Sequence, residues 1–336
     1  MTTFKEIRGT DILALSSDPS NPETGQIWYN SSSGTLKGYQ LATVNAWASG
    51  GNLNTSRRLL NASGLQTASL AFAGYTTTGT GATESYNGSS WTNVNSMNTA
   101  RYWVGSAGTQ SATFAFGGQL PPTNQTRETE NWNGTSWTIG TNYPVFGYHM
   151  AAGIQTAAIT LVGQSSPDGN PGSPQTFPAA TNTYNGTSYS SAPSMNTGRR
   201  RPGTLGTQTA ALAFGGQPGS SVTTATESYN GSAWTTVNSL NTARFQLGGA
   251  GIQTAGLAFG GDNDGPTTYA NTELWNGTAW TTNPNSMATA RTAIGGCGTQ
   301  TAALVTGGSP NNSATTTAAT EEWTGQALLV RTVTVS

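Results

Sequence analysis

The feature that most limits what this chain can fold into is an internal repeat. A Gly-x-Gln-[Thr/Ser]-Ala motif begins at Gly64, Gly108, Gly153, Gly206, Gly251 and Gly298, at spacings of 44, 45, 53, 45 and 47 residues. The apolar run after each motif usually ends in Gly-Gly, as at Gly117-Gly118, Gly215-Gly216, Gly260-Gly261 and Gly307-Gly308. A variable loop follows, then a block pairing Asn-Gly with an aromatic residue: Asn87 with Trp91, Asn133 with Trp137, Asn185 with Tyr189, Asn230 with Trp234 and Asn276 with Trp280. Asn-Gly between strand-like runs predicts a hairpin with a type I′ turn, whose two central residues need positive φ. The same triplets match the glycosylation acceptor pattern, but their place in the repeat explains each as a turn.

The run after the motif alternates, with Ala255, Leu257 and Phe259 on one face and Thr254, Gly256 and Ala258 on the other. That is the period of a strand. A unit of about 45 residues cannot bury both faces of its own sheet and must pack on its neighbours. Closing the units into a ring removes the need for caps, which predicts an all-β propeller of six blades. Composition agrees. Charged residues make up 8% of the chain, and only Lys5 and Lys37 are lysines. Helical proteins cover themselves with straight-chain charged residues, whereas here the polar surface must be Thr, Ser and Asn, which suit strands and turns.

The order of Arg, a strand pair ending in Gly-Gly, a Glu-bearing strand with Tyr or Trp, and then Trp resembles the kelch repeat over about residues 54–325. The resemblance implies a six-bladed kelch-like β-propeller, here residues 51–336, preceded by a short N-terminal arm, residues 1–50. The last unit departs from the pattern: Glu321-Glu322-Trp323-Thr324-Gly325 lacks the Asn-Gly turn and the Trp that follows it. The tail 327–335 still reads as a strand, so which strand closes the ring stays open.

Seven residues before the repeat glycines stand Arg57, Arg101, Phe146, Arg199, Arg244 and Arg291; at the glutamate position stand Glu84, Glu130, Asn182, Glu227, Glu273 and Glu321. The third unit has lost both partners. That predicts an Arg–Glu pair within each of the other blades, since removing one partner of a buried pair leaves a costly lone charge. Its expected role is structural.

Little is left for chemistry. His149 is the lone histidine, so the two-histidine copper site of kelch-like oxidases cannot be assembled. Cys297 stands alone, which excludes an intrachain disulfide or a multi-cysteine zinc site; it reads as a buried thiol. Asp262-Asn263-Asp264-Gly265 starts like a calcium loop, with Glu273 at its twelfth position, but Pro266 and Thr267 break the pattern. No phosphate-binding glycine loop is present. The expectation is a protein without enzymatic activity, metal or cofactor. A net charge of −1 argues against nucleic acid, and Arg199-Arg200-Arg201 reads as a solvated loop. No run reaches the ~18 apolar residues of a membrane helix, and residues 1–20 lack the apolar core of a signal peptide.

Binding therefore falls to loops. Those after each Gly-Gly (119–127, 164–180, 217–225, 262–271 and 309–320) occupy one point of the repeat and should share one face, where function gathers on loops. The candidate contact residues are Pro167, Asp168, Pro171 and Pro174 of the longest loop, with Asp262 and Asp264. In the arm, a segment of about 25 residues that contains Gly25–Tyr39 resembles short pieces of structural and tail proteins of tailed bacteriophages. Ile27, Trp28, Tyr29, Leu36 and Tyr39 are its candidate attachment residues. The resemblance implies a virion surface protein, a tail fibre or adhesin or a head decoration, made in the host cytoplasm. Its partners would be other virion proteins and a host-surface glycan or protein. The alternative is a cellular kelch-like module binding carbohydrate or protein.

Overall fold

The computed structural model describes residues 12–20, 26–170, 172–312 and 314–332, without the side chains of 39–44, 312 and 326–332. Two compact units divide them, one of residues 46–323 and one formed by residues up to 45 with those from 324 onward.

The larger unit has a β-propeller-like, all-β repeat architecture. Its first sheet pairs Asn61–Leu65, Ala68–Phe72, Thr83–Tyr86 and Trp91–Val94 antiparallel and in chain order. Sheet 2 (Gly105–Gly108 to Trp137–Ile139), sheet 3 (Tyr148–Ile154 to Tyr189–Ala192), sheet 4 (Gly203–Gly206 to Trp234–Val237) and sheet 5 (Gly248–Ile252 to Trp280–Thr282) repeat it. Sheet 6 holds Gly295–Gly298, Ala302–Thr306 and the start of Thr320–Thr332. Its fourth position is taken by the end of Thr35–Ser49, from the other end of the chain.

The first strands of the sheets neighbour one another in cyclic order, and the first strand of sheet 6 lies beside that of sheet 1. The alternation within each second strand explains the packing. Phe214 of sheet 4 meets Ala258 of sheet 5, Phe259 meets Ala303 of sheet 6, and Leu304 meets Ala71 of sheet 1. A large face lies on the next sheet's small face, so both are buried. The first strands must be small as well: a Cβ on Gly249 or Gly296 would sit 2.8 Å from the ring of Phe214 or Phe259.

The six glutamines tie the sheets into a cycle. Each lies in the hairpin between first and second strands and donates through Nε2 to carbonyls of the preceding sheet. Gln110 reaches Ser69 O (3.1 Å) and Tyr86 O (2.6 Å), Gln155 reaches Thr113 O (2.7 Å) and Trp132 O (2.9 Å), and Gln300 reaches Gly256 O (3.1 Å) and Trp275 O (2.6 Å). Gln66 of sheet 1 reaches Ala303 O (3.1 Å) and Trp323 O (2.7 Å) of sheet 6.

Trp47 fills the gap left by the last unit. Trp137 and Trp280 each donate their indole N–H to a threonine of the preceding sheet, Thr83 and Thr226, at 3.1 Å. Trp47 does the same to Thr272 at 2.8 Å. It meets Phe259 edge-on at 5.1 Å, as Trp137 meets Phe72 at 5.0 Å. Trp47 thus belongs to the larger unit, which runs from Ala46 to Trp323.

The Asn-Gly turns are corrected in type. Gly88 has φ 91° while Asn87 keeps negative φ, and four residues, not two, separate the paired Tyr86 and Trp91. Asn87 Oδ1 accepts the N–H groups of Ser89 (3.0 Å) and Ser90 (2.9 Å), an Asx turn.

In the smaller unit, Ile27–Asn30 pairs antiparallel with the start of Thr35–Ser49, and Leu13–Leu15 pairs parallel to Ile27–Asn30. Asp18 gathers this hairpin: its carboxylate accepts from Trp28 Nε1 (3.1 Å) and Asn30 Nδ2 (2.7 Å) and pairs with Lys37 (2.9 Å). These hydrogen bonds, that from Asn30 first, hold its carboxyl below the usual aspartate range.

Candidate functional site

The Arg–Glu residues meet in buried pairs, which act as scaffold. Arg57–Glu84 (3.2 Å), Arg101–Glu130 (3.2 Å), Arg199–Glu227 (3.1 Å), Arg244–Glu273 (3.1 Å) and Arg291–Glu321 (2.8 Å) have almost no exposure. The second carboxylate oxygen accepts a backbone N–H from the segment entering the sheet, as Asn54 N–H to Glu84 at 2.6 Å. Desolvation lowers the arginine pKa values, Arg57 and Arg244 to about 10, against the opposing pull of the glutamates.

Sheet 3 fills the same slot without charge. Tyr143 replaces the entering asparagine, and its hydroxyl meets Thr160 Oγ1 at 3.2 Å and accepts from Asn182 Nδ2 at 3.0 Å. His149 lies against Tyr143 and Phe116 with Nε2 3.2 Å from Val145 O. Burial pushes its pKa down to about 3, so the imidazole is neutral at physiological pH. Cys297 is buried beside Ser69, and burial pushes its thiol up to about 11.

The two ends of the ring differ. The end bearing Gly-x-Gln also carries the Asn-Gly turns, since Gly88, Gly134 and Gly231 approach Thr67, Ser111 and Thr209 of the hairpins. The other end opens at the residues five before each repeat glycine: Leu59, Trp103, Tyr148, Arg201, Gln246 and Ala293. These six different residues line the mouth of a channel cavity of about 260 Å³, and no carboxylate is among the residues lining that cavity.

The mouth backbone is strained. Leu59, Trp103, Arg201, Gln246 and Ala293 have φ between 50° and 58°, a left-handed conformation that costs a non-glycine residue about 1–3 kcal/mol and gathers at functional sites. Backbone bonds from one sheet to the next hold it: Trp103 N–H to Leu59 O (3.0 Å), Leu59 N–H to Ala293 O (2.8 Å), Ala293 N–H to Gln246 O (3.3 Å) and Gln246 N–H to Arg201 O (3.1 Å).

Between Trp103 and Arg201 stands the divergent sheet 3, and side chains bridge it. The Arg201 guanidinium carbon lies 3.8 Å from the Trp103 ring centroid, 5.5 Å from Tyr148 and 5.9 Å from Phe245. Tyr148 in turn lies 4.6 Å from Trp103. Desolvation first, then repulsion from Arg200, lowers the Arg201 pKa to about 9, so it stays charged at neutral pH. Arg201 makes no hydrogen bond or ion pair within 4 Å among the described residues. The indole N–H of Trp103 is buried without an acceptor.

The loop candidates are placed differently from expectation. The Arg199-Arg200-Arg201 run is not a solvated loop. Arg199 is fully buried in its scaffold pair, Arg200 pairs with Asp264 at 3.4 Å, and Arg201 is the mouth residue. Asp262 is not a surface residue either. It follows Gly-Gly and pairs with the backbone of Phe245, which draws it under the mouth, where it is fully buried and accepts from Thr292 Oγ1. Burial raises its pKa. Asp264 accepts from Gln217 Nε2 at 2.7 Å.

Pro167, Asp168 and Pro174 are exposed, and Asp168 folds on its own loop, accepting from Asn170 N–H (3.0 Å) and Ser173 Oγ (2.8 Å). Pro171 lies outside the described residues, as does the side chain of Tyr39. Trp28 is fully buried, which removes it as an attachment surface. Tyr29 is 41% exposed, and Ile27 and Leu36 are half-buried.

Sequence reasoning missed Trp103, Tyr148, Arg201 and Gln246. The signal was there in the repeat register: this inward position holds six unlike residues, while the arginine two residues before it and the Gly-x-Gln five residues after it are nearly constant. No protein-family model matches the chain, and no curated protein matches it.

Proposed function

We propose that residues 46–323 form a six-bladed kelch-like β-propeller that binds a ligand at the mouth ringed by Trp103, Tyr148, Arg201 and Gln246, and performs no chemistry on it. The observation that carries this reading is the contrast within one repeat. Positions that hold the sheets together keep their residues, while the mouth position varies and keeps a charged donor unpaired. Strained backbone, stacked aromatics and an unmatched cation in a concavity together favour recognition. Acid–base catalysis there would need a carboxylate or a titrating imidazole. The cavity lining offers no carboxylate, and the buried His149 stays neutral.

The setting we propose is the surface of a tailed-bacteriophage particle. The support is the likeness of Gly25–Tyr39 to phage structural and tail proteins; partners in the particle would be met through residues 1–45, with Tyr29 among the exposed groups. The ligand would then be a host-surface glycan. Two arms test the reading. Calorimetric titration of the full chain with host-surface oligosaccharides should show saturable binding without turnover, abolished in Trp103→Ala. Immunogold labelling of a lysate with antibody to residues 51–336 should decorate tails or heads. Gold confined to cells or soluble debris would favour the cellular kelch-like binding module.

A further inference from the structure

Resting on that reading of the mouth as the binding site, we infer that it recognises a carboxylate, carried by an acidic saccharide, through the terminal nitrogens of Arg201, held in place by the Trp103 ring. Among the arginines of the repeat position and the Arg199-Arg200-Arg201 run, Arg201 stands apart. The five scaffold arginines each hold a glutamate, and Arg200 holds Asp264. Arg201 has no such partner among the described residues, although it is packed under aromatic rings and bordered by a cavity whose lining carries no acid. Its buried Nε proves nothing by itself, because the scaffold arginines share that feature. Arg199 also leaves Nη1 without an acceptor, but each scaffold arginine holds a carboxylate through a terminal nitrogen, and Arg201 holds none.

A guanidinium matches a carboxylate through two parallel hydrogen bonds. Stacking on Trp103 fixes its plane, so little side-chain freedom is lost when a ligand arrives. The local charge selects a monoanion. Asp262 and Asp264 both act on Arg201, and Asp264 is already matched by Arg200, so a dianion such as phosphate would meet a field close to balanced. The cavity, about 260 Å³, is smaller than a drug-sized site of ~300–1,000 Å³ and takes a single ring or a chain end.

A peptide C-terminus is the competing source of a carboxylate. Its capture relies on a nest of free backbone N–H groups. Here the N–H groups of Leu59, Trp103, Gln246 and Ala293 are spent on neighbouring carbonyls. The charged donor that remains is the Arg201 guanidinium; the amides of Asn61 and Gln246 along the lining already donate to Val104 O (3.1 Å) and Asp262 Oδ2 (3.5 Å) and keep one N–H each. That set suits a ring bearing one carboxylate and several hydroxyls.

The test is calorimetry of the full chain with glucuronate- and galacturonate-containing oligosaccharides, the matching neutral oligosaccharides, inorganic phosphate, and a short peptide with a free or amidated C-terminus. The expected result is at least about tenfold tighter binding of the acidic than the neutral saccharide, the size of a charge-assisted hydrogen bond pair. That preference should vanish in Arg201→Met and survive weakened in Arg201→Lys, with Trp103→Ala reducing affinity because the stack that fixes the guanidinium is lost. Unchanged melting temperatures would show that the variants fold. Equal binding of acidic and neutral saccharides, or an acid preference that survives Arg201→Met, would overturn the inference while leaving the mouth as a saccharide site. Binding of the free-carboxylate peptide alone would overturn the saccharide assignment. If nothing binds, the proposed function itself fails.

Discussion

The two ends of the ring are built from the same six repeats and have diverged to opposite degrees. At the Gly-x-Gln end each repeat presents the same hairpin, and the amides of its glutamines reach carbonyls of the preceding sheet. At the mouth the equivalent position holds Leu59, Trp103, Tyr148, Arg201, Gln246 or Ala293, most in a strained backbone conformation. Repetition is kept where each unit must fit the next, since one hydrogen-bond pattern has to serve every seam. It is lost where a single asymmetric ligand would be met. On the proposed reading, structure and recognition are thus separated between the two ends of each small sheet.

Mutations should separate them too, and the seams should give the largest effects. Trp47→Ala removes a half-buried indole from the seam of sheet 6 and should cost about 3 kcal/mol, the low end for truncating a tryptophan, read by denaturant unfolding. Glu84→Gln leaves Arg57 buried without its countercharge and should cost a similar ~3–5 kcal/mol. The amide of Asn182 is tolerated at this position in sheet 3 because Phe146 has replaced the arginine as well, and Tyr143 and Thr160 complete a neutral network there. Gln66→Ala should cost about 1–3 kcal/mol, as two buried carbonyls lose their donor. If any of these variants unfolds like the parent, the division between the ends is wrong.

A pH effect sharpens the picture of sheet 3. The folded protein holds His149 near pKa 3, against 6.5 for the free side chain. Between those values the unfolded chain binds a proton that the native state refuses, so stability is complete above pH 6.5 and falls on acidification by about 1.4 kcal/mol per pH unit. His149→Gln should flatten that part of the profile, and an unchanged slope would count against a neutral, buried imidazole. At the small end of the scale stands Arg201→Met. Because it removes an unpaired cation, it should shift stability by no more than about 0.5 kcal/mol while changing binding.

How far all this could be read beforehand depended on whether a signal repeated. The Arg57–Glu84 type of pair was legible because the same two positions recur and are lost together in sheet 3. The all-β sheets followed from period-2 runs between glycine motifs. Closure was half legible: the last unit advertised a missing tryptophan, but its replacement lies 225 residues away from the threonine it bonds, and nothing local marks Trp47 as its substitute. Arg201 was hidden inside a triplet of arginines that looks like exposed charge. Only the register five residues before the glycine shows the three to be a scaffold residue, a loop residue and a mouth residue. Asp262 misled for a similar reason, since an acidic loop start gave no hint that pairing with Phe245 would bury it.

The claim at the centre of this account is that recognition belongs to the mouth and not to the constant end or the proline-rich loop. Hydrogen–deuterium exchange of the full chain, with and without a saturating uronic-acid oligosaccharide, tests it most directly. The account predicts added protection confined to peptides containing Trp103, Tyr148, Arg201 and Gln246, with the Gly-x-Gln hairpins unchanged. Protection centred on those hairpins, or on residues 164–180 alone, would contradict it.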